Sequence, residues 1–477
     1  MVKAVVGEES RLKLVEDRLS QVEIGLVIGK LSKSLDKGFV YDLIPTPLND
    51  AGEPAASLIE TASRDDTKKK GSKAKPQSDS STLFIDKDWI AEHARQVSRM
   101  LLGGMMVIGV YISVNESCFK NSTTLLCQTV KVAADAAPSF DSETDERLLI
   151  HISYSPRRWT CRNCSLASSI TSGSLRPCDF KLGKVLASLK ELRCIYNFSI
   201  RLPVHSEKEQ RRNFSDVLRQ GLSSHTKALK SAKCLIDGKL VIEEDQFVPD
   251  GPHEVEFLLP FMQDDEVVGV LVFKGSVCSF AYLNPKEFIL QALHDIKEDI
   301  IKSLNSRLDI LCDEAEGESE SVNKDQEAST HTPTSKQVLQ LNLQFKRQYS
   351  SLSFPRRVFI PWLASAYICD YVLPSETIEV IKDHCVELMS MEAPQVASEI
   401  LELESEASLV TSTTKSFSDV ANSASKSDSS LSVRSAGTGN ATSVQSATKS
   451  TPSTTFAALF VLFMSILVGL ILLFLRS

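Results

Sequence analysis

Residues Met105 to Val114 read MMVIGVYISV, and the reading of this stretch decides the fold. β-branched and aromatic side chains crowd it, Gly103-Gly104 precede it and Asn115 follows, so it is read as a strand buried on both faces and not as a helix. Such a strand belongs in the middle of a sheet, which makes the surrounding fold a layered α/β one. Upstream, Asp88 is expected to cap a helix whose apolar side is Trp89, Ala94, Val97, Met100 and Leu101, closed by the glycine pair. A short helix at 11–19 and strands at 24–28 and 39–44 come earlier. Further strands are expected at 148–154, 194–202, 255–261 and 267–273, with helices near 207–233 and 285–311. Together they form an α/β domain over residues 1–312, interrupted by an unstructured loop at 49–81 that lacks apolar periodicity.

Beyond it, 313–337 is acidic and Ser/Thr-rich and reads as a linker. Residues 338–400 offer one strand (357–362) and one helix (375–391). That is too little for an independent core, so this segment is expected to dock on the first domain and complete its sheet. Residues 401–455 are dominated by Ser and Thr and read as a flexible tether. The run from Phe456 to Leu475 is apolar throughout and long enough, at helical rise, to span a bilayer. It predicts a single transmembrane anchor at the carboxyl end, inserted after synthesis, with the bulk of the chain cytosolic and the endoplasmic reticulum membrane as destination. Ser465 and Gly469 place two small residues on one face of that helix, a pattern suited to close helix contact in lipid.

With 477 residues, 42% hydrophobic and 24% charged, the chain can bury a large core. Its net charge of −8 argues against a nucleic-acid partner. The 11 cysteines, without framework spacing, fit a reducing compartment. Cys161 and Cys164 form a lone CxxC, read as ordinary reduced thiols with a structural zinc pair as the alternative; two ligands do not complete a zinc site. Catalytic loops of the phosphate-binding, zinc-protease or serine-hydrolase kind are missing, so no cofactor and no catalytic residue is expected. Arg356 and Arg357, before an apolar strand, are candidates for partner contact or for an edge charge that discourages strand pairing.

The order of elements up to Val114 resembles the JAB/MPN fold of isopeptidases, in which a strand like VIGVYI runs into zinc-binding histidines. That resemblance puts Ser113 and Asn115 where imidazoles would stand, and implies an MPN-like pseudo-enzyme domain. The expected fold class is therefore α/β, an MPN-like domain plus a C-terminal single transmembrane helix. A longer resemblance is carried by WIAEHARQVSRMLLGG (89–104) with the VIGVYI strand, by RWTCR (158–162), and by PRRVFIP (355–361) with Cys369-Asp370-Tyr371. These motifs are similar to the odorant response abnormal protein 4 family. The resemblance implies a non-enzymatic protein of the endoplasmic reticulum membrane that assists folding, trafficking or localisation of a subset of G-protein-coupled receptors. It also implies pairing with the protease that processes the ubiquitin-fold modifier.

Overall fold

The computed structural model describes residues 2–19, 22–60, 81–138, 146–154, 156–166, 174–204, 214–241, 253–260, 269–324, 354–373, 376–395, 397–404 and 408–412. The MMVIGVYISV stretch supplies β6 (Met106–Ser113), and a barrel is assembled around it. In chain order come β1 (Ala4–Glu8), α1 (Glu9–Arg18), β2 (Glu23–Ser32), β3 (Lys37–Pro45), β4 (Ala56–Glu60), β5 (Ser81–Ile85) and α2 (Lys87–Met100). After β6 follow α3 (Glu116–Asn121), α4 (Thr123–Ala136), β7 (Glu146–Tyr154), β8 (Arg157–Ser165) and β9 (Leu175–Gly183). The barrel is closed in the order β1-β3-β2-β6-β7-β8-β9. β6 runs antiparallel to β2 and parallel to β7, and the parallel step is bridged by α3 and α4, the crossover that parallel strands require. β1 is the closing seam, parallel to both β3 and β9.

The strand is central for the reason its sequence gives: Val107, Ile108, Val110, Tyr111 and Ile112 are all buried. Gly109 is required by close approach, since a Cβ there would lie 1.9 Å from the carbonyl oxygen of Leu148 on β7. One face of the barrel strands packs on α2, α4 and the β4–β5 hairpin, the other on α1. α2 and its C-cap residue Leu101 bury Ile90, Ala94, Val97 and Leu101 at helical spacing. Each of the larger of these contributes about 1.5–3 kcal/mol. Its cap is Asp86, whose Oδ1 accepts the Trp89 N–H at 3.0 Å, and not Asp88, which lies inside the first turn.

A second sheet holds β10 (Lys190–Val204), β11 (Lys233–Ile236), β12 (Lys239–Leu240), β13 (His253–Leu258), β14 (Gly269–Leu283) and β17 (Ser408–Ser412) in the order β12-β11-β13-β10-β14-β17. Its spine is the unbroken antiparallel ladder of β10 with β14. Leu192, Cys194, Tyr196, Phe198 and Ile200 alternate into a core beneath α5 (Phe214–Lys230) and α6 (Ile289–Lys324). β15 (Arg356–Pro361) and β16 (Tyr367–Val372) form a hairpin, followed by α7 (Ile378–Glu387). This hairpin does not complete a larger sheet: its strands pair with each other. Phe359 exchanges backbone hydrogen bonds with Leu401, and a single bridge joins Ile368 to Leu101.

The expected fold class needs correction. In place of an MPN-like α/β domain carrying one transmembrane helix, the chain forms a closed seven-stranded barrel with a separate six-stranded mixed sheet. Of the strands that close the barrel, β8 and β9 carry too many charged and polar residues to stand out as apolar runs, and β1 is only five residues long. Without them the order of elements resembles many mixed sheets. Among the described residues no helix is long and apolar enough to cross a membrane. α6 is long, but Asp295, Lys297, Asp299, Lys302 and Arg307 interrupt it. The run containing Phe456, Ser465, Gly469 and Leu475 lies outside the described residues. Other boundaries shift as well. The 49–81 stretch, expected to be unstructured, contains β4 and the first residue of β5, which pair as a hairpin; α6 continues to Lys324 through part of the linker, and β17 arises from the tether.

Candidate functional site

Crevices beyond the carboxyl ends of parallel strands are where α/β sheets bind ligands, and β6 and β7 end side by side. Asn115 there caps α3, its Oδ1 accepting the N–H of Cys118 at 2.7 Å and the hydroxyl of Ser117 at 2.9 Å. Fully buried on β7, His151 has its Nε2 2.9 Å from the carbonyl oxygen of Val114. A carbonyl only accepts, so Nε2 carries the proton and Nδ1 is left as a lone pair. Nδ1 has no hydrogen-bond partner among the described residues and stands 3.7 Å from Oε2 of Glu116. Burial, the largest influence, pulls this imidazole below its ordinary range and keeps it neutral. Phe119 stacks on it at 4.1 Å, and the guanidinium of Arg162 covers Phe119 at 4.5 Å.

Ser113 is also buried, with no partner for its hydroxyl among the described residues. It does not share a face with His151: the register sets Ile112 against His151 and Ser113 against Ile152, and successive strand residues point to opposite faces. A Ser–His pair for nucleophilic catalysis is therefore not assembled here. Asn115 is committed to its cap.

The CxxC divides for the same geometric reason. Three residues along a strand, Cys161 and Cys164 lie on opposite faces of β8 and join different cores. Cys161 lies opposite Cys178 on β9 and interacts with its thiol, whereas Cys164 interacts with that of Cys127 on α4. Among the described residues no group of three or more His, Cys, Asp or Glu could hold a metal.

Arg356 and Arg357 also part. The guanidinium of Arg356 reaches Glu402 at 2.8 Å on the surface. That of Arg357 is buried and gives Asp299 two hydrogen bonds of 2.9 Å and Ser303 one of 3.1 Å. Asp299 further accepts the hydroxyl of Ser279 at 2.7 Å. Burial pushes its carboxyl up and Arg357 opposes that; the charge of Asp299 in turn holds Arg357 above its ordinary range despite burial. Beside them Arg307 grips both oxygens of Glu404 at 2.7 and 2.6 Å, while the N–H groups of Cys278 and Arg357 donate to the same carboxylate at 2.8 Å each. A third buried cluster sets Lys30 of β2 2.6 Å from Asp295 and 3.3 Å from Glu287. It forms the floor of a cleft of about 120 Å³ between the barrel and α6, lined also by Gly104, Met105, His294 and Lys302.

The sequence reading missed these clusters, although it contained their signal. Asp295, Asp299, Ser303 and Arg307 recur every fourth residue in an apolar helix, which aligns polar groups along one buried stripe. His151 gave no such signal, because a single histidine in LLIHISY cannot announce its tautomer.

The model of the "Odorant response abnormal 4-like" family matches residues 25–400. A protein odr-4 homolog of Dictyostelium discoideum is 27% identical over 394 residues, covering 80% of this chain and 77% of that protein. The Homo sapiens protein odr-4 homolog is 25% identical over 337 residues, 64% of this chain and 69% of that protein. Among solved structures, UfSP from C. elegans aligns over 84% of this chain and 58% of its own, with 8% identity and a TM-score of 0.36, an overlap too loose to carry an argument.

Proposed function

The chain belongs to the odorant response abnormal 4-like family, and on that premise we propose that it is a non-enzymatic adaptor assisting the folding, trafficking or localisation of a subset of membrane receptors. G-protein-coupled receptors are the proposed clients. It works at the endoplasmic reticulum membrane with its bulk in the cytosol, and a ubiquitin-fold-modifier protease is the proposed soluble partner.

The observation that carries the non-enzymatic reading is the separation of Ser113 from His151 on opposite faces of the β6–β7 pair. The polar groups at this strand end serve the fold: Asn115 caps a helix and His151 ties β7 to the carbonyl of Val114. Cys161 and Cys164 are buried and interact with thiols, and not with a base. A catalytic cysteine needs an accessible thiolate beside a base.

Two measurements test the proposal. Cells depleted of the chain are expected to retain tagged receptors inside, with surface levels restored on re-expression, and affinity purification from detergent-solubilised membranes is expected to recover receptor and protease in stoichiometric amounts. Turnover of a modifier-linked substrate by the isolated full-length chain, or receptor surface levels indifferent to its loss, would overturn it.

A further inference from the structure

We propose that Cys161 and Cys178 form a peroxide-responsive dithiol, a modification site that hydroperoxides convert to a disulfide across β8 and β9. The pairing register sets the two residues directly opposite each other on antiparallel strands. Residues so placed have Cα atoms about 4.5 or 5.5 Å apart, and both spacings fall inside the roughly 4.4–6.8 Å window a disulfide accepts. The two thiols interact with each other, and Cys178 Sγ also donates to the carbonyl oxygen of Val2 at 3.5 Å.

The two partners are unequal in the way such chemistry requires. Cys161 is buried among Val5, Ile150 and Trp159, whereas Cys178 is only half-buried. The bond with Cys161, and after it one from the N–H of Asn163, draws the Cys178 thiol below its ordinary range against the opposing effect of burial. Burial and the same bond push Cys161 well up. Being the one solvent can reach, Cys178 is the attacking sulfur, and the buried Cys161 is the resolving one.

In the first step the Cys178 thiolate attacks the terminal oxygen of a hydroperoxide. The S–O bond forms, the O–O bond breaks, and the leaving alkoxide or hydroxide takes a proton as alcohol or water. The Cys161 sulfur then attacks the sulfenic sulfur, the S–S bond forms, the S–O bond breaks, and a second water leaves with the Cys161 proton. Two thiols lose two electrons and one peroxide bond is reduced. The second thiol pair, Cys127 with Cys164, supplies an internal control, since both residues are fully enclosed and no oxidant reaches them in the folded chain.

The full-length chain, purified reduced in mild detergent, is treated with hydrogen peroxide and mapped by mass spectrometry after thiol blocking. A Cys161–Cys178 crosslink is expected before any other, reversed by dithiothreitol, with Cys127 and Cys164 still reduced. Cys161→Ser is expected to stop at a dimedone-reactive sulfenic acid on Cys178, and Cys178→Ser to leave Cys161 unmodified. Earlier oxidation of Cys127 and Cys164, a first crosslink elsewhere, or peroxide consumed at other cysteines with residues 161 and 178 unlinked overturns the assignment. The wild-type map needs no variant to fold.

Discussion

Replacing Arg357 by Ala should expose how the hairpin of β15 and β16 is held to α6. The wild-type guanidinium gives Asp299 two hydrogen bonds and Ser303 a third; in its absence Asp299 keeps, among the described residues, the hydroxyl of Ser279 as donor and the charge of Lys302 nearby. A buried carboxylate without its cation takes up a proton, at a cost of about 1.36 kcal/mol for each pH unit above its ordinary value. At pH 7 this ceiling is about 4 kcal/mol, within the roughly 3–5 kcal/mol found when one member of a buried pair is removed. At pH 5 it falls below about 2 kcal/mol. The sign follows from linkage: in the variant the folded carboxyl is raised above its unfolded value, so stability is retained at low pH and lost as pH rises. Urea unfolding of wild type and variant at pH 5 and 7 reads the difference. Substituting both partners, Arg357→Met with Asp299→Asn, should cost less than Arg357→Ala alone, because no charge is stranded. A deficit under about 1 kcal/mol at pH 7, or one that does not shrink at pH 5, refutes the reasoning.

Other outcomes follow from single contacts. His93, wedged between the carbonyl of Leu388 and the hydroxyl of Thr46, is lowered by burial to about 4. The unfolded chain protonates it first as pH falls through its ordinary value, so acidification to pH 4 should remove about 3 kcal/mol of stability, a loss that His93→Gln should abolish in an acid-denaturation profile. His384 is raised by its bond to Asp370, 2.8 Å away. Its contribution is complete below its ordinary value and lost as pH rises through the raised one; with the ring partly exposed it should stay below about 1 kcal/mol, measured as the loss of that alkaline slope in His384→Gln. Gly109→Ala drives a methyl into the Leu148 carbonyl. It should cost several kcal/mol, on the order of 4 or more, and leave little folded chain by circular dichroism.

The legible parts of the sequence were those in which a residue's role repeats along the chain. β6, β2, β3 and the apolar side of α2 follow period 2 or 3.6, and their burial matches. β9 escaped notice because both its edges are filled by partners, β8 before it and β1 from the distant amino end. Its own side chains, Arg176, Pro177, Asp179 and Lys181, face solvent and carry no apolar pattern. α4 was hidden by a Thr- and Val-containing stretch with weak helix preference, made helical by packing against α2. The CxxC was legible as residues and misleading as a site, since spacing along a strand says nothing of pairing across it. The membership of Arg357 in a buried network depended on Glu404 and Asp299, neither adjacent in sequence.

The seam at β1 sets a schedule for synthesis. That strand emerges from the ribosome ahead of both its partners, with β3 soon available beside it, but its other edge must wait for β9. At translation rates of roughly 5–20 residues per second, the wait is on the order of ten seconds or more. Throughout it the nascent chain displays an apolar strand with an open row of amides and carbonyls, the surface that most readily recruits a neighbouring chain. A protein proposed to tend other proteins as they mature thus begins its own life needing the same protection.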